Sequence, residues 1–112
     1  MIYSLDKINE MAEGDEDFIL SVISVFLEEV PADLESLEEA IKERDYERTY
    51  QLAHKIKPNV DLLGMEQTRA AALEVETLGK KSAGWDQIES TFPILKKDIH
   101  QVIGELKNDF DV

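Results

Sequence analysis

The 112-residue chain contains no cysteine, and this absence excludes disulfide bonds and thiolate metal ligands. It also has no apolar run approaching the roughly 18 residues that a membrane-spanning helix needs. The first residues, MIYSLDK, lack the basic and then apolar layout of a signal peptide. We therefore expect a soluble cytoplasmic protein that does not enter a membrane.

Positive charge is scarce, because 12 basic residues stand against 25 acidic ones and the net charge is −13. Most of the imbalance lies in the first 47 residues, which hold 15 acidic and 3 basic side chains. A chain with this balance is not expected to bind nucleic acid through its phosphates. Segment 48–81 is locally basic, with 6 basic and 4 acidic residues, so a negatively charged group would be attracted there. The overall charge would also serve simply to keep a small domain soluble.

Strand signals are absent as well, since the chain has no alternating β-branched run and no Asn-Gly or Asp-Gly pair. The apolar fraction of 43% is that of a globular protein, and the length suits one domain over residues 1–112. Apolar residues recur every three or four positions, as they do in amphipathic helices. We predict an all-α fold, an antiparallel four-helix bundle with a short additional N-terminal helix.

Capping residues and glycines set the predicted helix boundaries. A short helix is expected from about Ser4 to Ala12, and Asp15 is the predicted N-cap of the next. This second helix is predicted to continue through Pro31 with a kink, because no glycine or turn cluster separates its halves. The remaining predicted helices are one between the N-cap Asp45 and a left-handed cap at Gly64, one over about Glu66 to Lys80, and one over about Trp85 to Phe110 with a kink at Pro93.

His54 lies in the middle of the third predicted helix. At about 100° per residue, the apolar residues of this helix form one stripe, and His54 points about 150° away from the centre of that stripe. The stripe consists of Leu52, Ala53, Ile56, Val60 and Leu63. The imidazole is therefore expected to face solvent, where it is available as a nucleophile. The alternative explanation is an ordinary surface histidine.

Neither histidine is accompanied by the partners that an enzyme site requires. No Glu stands three residues before His54 or His100, as the di-metal sites of helix bundles need. The chain has no glycine-rich phosphate loop and no Gly-x-Ser-x-Gly elbow. Asp61 could orient the ring of His54, but no serine is spaced for activation by it. We therefore predict no metal site, no cofactor and no autonomous enzymatic activity, and we expect His100 to be a structural or surface residue.

The segment Ala53-His54-Lys55-Ile56-Lys57, followed by the small residue Asn59 and by Gly64, resembles the signature of the histidine-containing phosphotransfer (HPt) family. The long acidic second helix and Ala71-Ala72-Leu73-Glu74 also match the layout of that family, so the resemblance covers nearly the whole chain. It implies a phosphorelay intermediate that accepts a phosphoryl group on His54 from the aspartyl phosphate of a receiver domain. The group would then pass to another receiver. Such receivers belong to response regulators or hybrid histidine kinases, and they would supply the Mg²⁺.

The lysines beside His54 have separate expected roles. Lys57 lies about 60° from His54 on the helix wheel and one turn along, so it is expected to contact phosphoryl oxygens. Lys55 lies at the flank and is expected to steer the partner. The family has glycine four residues after the histidine where this chain has Pro58, and Asp61 would bring a carboxylate close to a phosphohistidine.

Docking of the receiver requires exposed apolar residues near His54, and we predict that Ile8, Met11 and Met65 provide them. The protein is expected to act as a monomer. A different class of function remains open: a non-catalytic helical adaptor, or an acidic inhibitor, that docks on a signalling partner and in which His54 has no role.

Overall fold

A computed structural model describes residues 2–111, and within this range it contains five helices and no strand. The helices are α1 (Asp6–Ala12), α2 (Glu16–Lys42), α3 (Tyr46–Leu62), α4 (Glu66–Lys80) and α5 (Trp85–Phe110). Helix α3 packs against α2 and α4, and α5 closes the bundle by packing against α4 and α2. Short connections make successive helices antiparallel. The predicted all-α architecture, four long helices preceded by a short one, is confirmed.

Side-chain hydrogen bonds mark the starts of the first three helices. Helix α1 starts at Asp6, two residues later than predicted, and the Ser4 hydroxyl accepts a hydrogen bond from the Asp6 N–H at 3.2 Å. Asp15 and Asp45 cap α2 and α3 by accepting hydrogen bonds from backbone N–H groups in the first turn, as predicted. Helix α2 continues through Pro31, which confirms the prediction of a single helix there.

The C-terminal end of α3 is closed by a Schellman turn. Gly64 adopts a φ of +65°, and the next residue, Met65, donates its N–H to the Val60 carbonyl at 3.1 Å. The left-handed cap predicted at Gly64 is therefore confirmed. The N-terminal segment also lies against this turn, because the Ser4 N–H donates to the Leu63 carbonyl at 2.7 Å. The turn thus joins the start of the chain to the end of the helix that carries His54.

Aliphatic side chains fill the centre of the bundle along its length, and they include most of the stripe predicted for α3. The largest fully buried members are Ile8, Ile23, Leu37, Ile56, Leu63, Ile88, Leu95, Ile99 and Leu106. No helix within residues 2–111 is both long enough and apolar enough to span a membrane.

Two of the three predicted docking residues belong to this core, so the prediction that they are exposed is wrong. Ile8 is 0% exposed and Met65 is 2% exposed. A helix as short as α1 is held in place by burying its one apolar side, and that side carries Ile8. Met65 lies in the tight connection between α3 and α4, where its side chain packs inward. Met11, on the outer side of α1, is 58% exposed and keeps its predicted accessibility.

Candidate functional site

His54 lies on the outer face of α3 with its side chain 63% exposed, as the helix periodicity predicts. Its neighbour Ala53 and the residue Ile56 are completely buried, which fixes the orientation of α3 in the bundle. The Nδ1 atom of His54 lies 2.5 Å from Oε2 of Glu76 on α4. The imidazole is thus accessible and, at the same time, anchored to the neighbouring helix.

Glu76 holds the centre of the site, although its side chain is only 11% exposed. Its second oxygen, Oε1, accepts a hydrogen bond from Nζ of Lys57 at 2.6 Å. Desolvation by burial acts to raise the pKa of Glu76, but the hydrogen bonds and charges of Lys57 and His54 outweigh it. The pKa of this carboxyl therefore lies below its ordinary value. Glu76 is an ionised group that bridges two side chains of α3.

This bridge determines which nitrogen of His54 carries the proton. A carboxylate has only acceptor atoms, so the neutral imidazole must donate to it through Nδ1–H. The lone pair of the ring then lies on Nε2. In this tautomer Nε2 has the free lone pair that a nucleophile needs. The geometry therefore favours reaction at Nε2.

Glu76 was missed in the sequence analysis, although the sequence carries a signal for it. The residue falls among Ala72, Val75 and Gly79, which are the buried positions of α4. An acidic side chain in a buried stripe needs a positively charged or hydrogen-bonding partner. Glu76 can therefore be recognised in the sequence as an unusual acid in a buried stripe. Its partners on α3 can be identified only from the packing of the two helices.

The two lysines lie on opposite sides of His54, and each pairs with an acid from a different helix. Lys57, 27% exposed, faces α4 and pairs with Glu76. Lys55, 56% exposed, faces α2, where its Nζ lies 3.1 Å from Oδ1 of Asp33. Asp33 is buried, and its other carboxylate oxygen has no hydrogen-bond partner. The positive charges beside His54 are therefore held in place rather than loosely solvated.

Asp61 does not orient His54. Its Oδ1 lies 2.8 Å from Nζ of Lys7 on α1 and 3.7 Å from Nε of Arg69 on α4. These cations balance the carboxylate, which explains how the helix tolerates an acid two turns from the histidine. Glu76, and not Asp61, is the acid that holds the ring of His54.

An apolar surface lies on the α2 side of His54. It includes an open groove of about 230 Å³ between α2 and α3, lined by Ser21, Val22, Val25, Asn59 and Leu62. On α3, Pro58 and Leu62 follow His54 at intervals of four residues, so they continue its row toward the groove. Val25 is exposed at this groove, and Met11 is exposed on α1. This groove could not be predicted from the sequence, because its two walls come from different helices.

His100 lies on α5, away from this face. It is exposed and lines a separate groove between α2 and α5 together with Lys96 and Glu38. Within residues 2–111, no group of three or more histidine, cysteine or acidic side chains is arranged to hold a metal ion. The described part of the chain thus places His54, two lysines and the two buried acids that pair with them close together.

The chain was compared with models of known protein families. The family model of the Hpt domain matches residues 21–109. The matched region contains His54, Lys57 and Glu76, whereas α1 lies outside it. The comparisons with curated proteins and with solved structures found no match.

Proposed function

The chain belongs to the Hpt domain family, whose members carry phosphoryl groups in phosphorelay signalling, and we propose that His54 is the carrier residue. Residues 1–112 act as one phosphotransfer domain. His54 accepts the group from the aspartyl phosphate of a receiver domain and passes it to a second receiver. The observation that carries this proposal is the hydrogen bond between an exposed imidazole and a buried carboxylate.

The transfer step uses the lone pair of Nε2. It attacks the phosphorus of the aspartyl phosphate, the Nε2–P bond forms, and the P–O bond to the aspartate breaks, with the carboxylate as leaving group. Since Nδ1 keeps its proton, the imidazole ring gains positive charge as the bond forms. Glu76, whose oxygen lies 2.5 Å from Nδ1, stabilises that charge. The second receiver takes the group by the reverse of this step.

Lys57 has two effects in this proposal. Its ammonium neutralises Glu76, which keeps a carboxylate tolerable close to an incoming phosphoryl group. It also places a positive charge one turn from His54, on the side where the transferred oxygens pass. Lys55, on the other side, is more exposed and contributes to attraction of the partner rather than to the step itself.

The receiver docks over α1, α2 and α3, which carry the exposed apolar residues of this part of the bundle. Met11, Pro58 and the groove at Val25 and Leu62 form the centre of this surface. Charged side chains, including Lys55, form its rim, as is common in protein interfaces. Ile8 and Met65 have no part in it, because both are buried.

Replacement of each histidine tests the assignment. His54→Ala should abolish acceptance of the phosphoryl group and leave the fold intact, because the ring is largely exposed. His100→Ala is the matched control and should retain acceptance. The measurement is incubation with a phosphorylated receiver, followed by a test for acid-labile, base-stable label, with circular dichroism to check the fold.

The outcomes separate the classes of function. Full labelling of the His54→Ala variant contradicts the proposal. A wild-type protein that binds the receiver but takes up no label is an adaptor instead. If His100→Ala loses the label and His54→Ala keeps it, the carrier is His100.

A further inference from the structure

Helices α3 and α4 lie in close contact one turn away from the site. Gly79 follows Glu76 by three residues on α4, and Tyr50 precedes His54 by four residues on α3. A Cβ atom on Gly79 would lie 3.0 Å from the backbone N of Tyr50, 3.1 Å from its Cβ and 3.2 Å from its Cα. Ordinary carbon contacts are about 3.5–4.0 Å. The two helices can therefore lie this close only because Gly79 has no side chain.

Backbone conformation does not account for this glycine. Gly79 lies inside α4 and is not among the glycines with positive φ, which are Gly14, Gly64 and Gly84. Glycine within a helix is destabilising by about 1 kcal/mol relative to alanine. Close packing against α3 is the feature of the structure that offsets this cost.

The helix spacing at Gly79 bears directly on His54. Glu76 reaches from α4 to two side chains of α3, with Oε2 2.5 Å from His54 Nδ1 and Oε1 2.6 Å from Lys57 Nζ. Both contacts span the same gap between the helices. A displacement of α3, or of the last turn of α4, by a few tenths of an ångström would therefore lengthen both together.

We propose that Gly79 is a positioning residue for the nucleophile. By keeping α3 close to α4, it holds Glu76 on Nδ1 of His54 and so keeps Nε2 free of its proton. The catalytic consequence rests on the proposed phosphotransfer function. The tautomer of His54 itself is a property of the isolated protein and can be measured without a partner.

The test is Gly79→Ala, with Gly104→Ala as the matched control. Both positions lie inside helices, so both gain the helix propensity of alanine, but a Cβ on Gly104 meets no atom within 4 Å. Ring ¹⁵N chemical shifts of His54 report which nitrogen carries the proton. Gly79→Ala should lower the ratio of Nδ1–H to Nε2–H tautomer about threefold to tenfold, the scale of weakening a hydrogen bond to a charged group. Gly104→Ala should leave the ratio unchanged.

Kinetics provide the second measurement. Gly79→Ala should slow single-turnover transfer in proportion to the lost Nδ1–H tautomer, while its Kd for the receiver stays that of the wild type. A folded Gly79→Ala variant with an unchanged tautomer ratio overturns the proposal. If Gly79→Ala does not fold, the double variant Gly79→Ala/Gly104→Ala is measured instead, because alanine at position 104 adds helix propensity. If the double variant also fails to fold, Gly79 has a purely structural role and the proposal is overturned.

These outcomes stay distinct from failure of the proposed function. If the tautomer ratio shifts as expected but the wild-type protein accepts no phosphoryl group, the phosphotransfer assignment fails and the positioning of His54 by Gly79 stands. If the wild type transfers normally and Gly79→Ala leaves the ratio unchanged, only the positioning role fails.

Discussion

Glu76→Gln tests the central feature of the site, because it removes one charge and leaves the shape of the side chain. Glutamine is nearly isosteric with glutamate, and its amide oxygen can still accept one hydrogen bond. It cannot serve as an anionic partner for both His54 and Lys57. The change therefore separates the effect of the negative charge from the effect of filling the space between α3 and α4.

The expected loss of stability follows from the burial of the three groups. Hydrogen bonds to charged groups contribute about 1.5–3 kcal/mol when well shielded. Here Glu76 is buried, but Lys57 is 27% and His54 63% exposed, so water screens both partners in part. We expect the free energy of unfolding at neutral pH to fall by about 1–2 kcal/mol. Transfer should slow about tenfold or more, because the ring loses the charge that stabilises it during the step.

The contribution of Glu76 to the free energy of unfolding should depend on pH. In the unfolded chain the carboxyl titrates near its ordinary pKa of 4.5, and in the folded protein the pKa is lower. Ionised Glu76 therefore stabilises the fold above pH 4.5, and this contribution is lost as the pH falls through the folded-state pKa. Glutamine does not titrate, so the stability difference between wild type and variant should shrink in that acidic window.

Urea unfolding of both proteins across this range, monitored by circular dichroism, measures the difference directly. Single-turnover transfer from a phosphorylated receiver measures the kinetic effect at neutral pH. A stability difference that does not change with pH, together with wild-type transfer by the variant, would refute the argument that an ionised Glu76 holds and assists His54.

Two further predictions concern the surroundings of His54. Lys57→Ala should slow transfer by about tenfold to a thousandfold with little change in receiver affinity, whereas Lys55→Ala should mainly weaken salt-dependent association. Equal, small effects of the two changes on the rate of transfer would leave Lys57 only its structural role as the partner of Glu76. Val25→Ser should weaken receiver binding, whereas Ile94→Ser, an exposed apolar change on α5, should not, and chemical-shift mapping of the receiver onto α5 instead would contradict the docking surface.

The helices could be predicted from the sequence because the signals are local. Asp15 and Asp45 act as caps through the next few backbone N–H groups, and Gly64 ends α3 by its own conformation. The apolar stripe of α3 likewise fixes which way His54 points, without knowledge of any other helix. Each of these inferences needs only residues within one or two turns of each other.

The exposed surface could not be predicted in the same way. Whether Ile8 is buried depends on where the short helix α1 lies against the bundle, and Met65 lies in a turn whose direction is set by the packing of two helices. The spacing of apolar residues in the sequence predicts neither the position of α1 nor the direction of this turn. The groove at Val25 and Leu62 has the same origin, since each helix contributes only one wall and neither wall is distinctive alone.

The charged groups of the site could be predicted in part, and the buried acids show why. Among residues 2–111, the buried side chains that carry a formal charge are Asp33 on α2 and Glu76 on α4. Burial of a carboxylate is unfavourable unless a cation meets it. Both acids meet lysines of α3, and those lysines stand on either side of His54. Acidic residues in the apolar stripes of α2 and α4 therefore indicate, before any contact is known, that a neighbouring helix must supply positive charge. Helix α3 supplies it around the histidine, where the proposed phosphoryl transfer would use it.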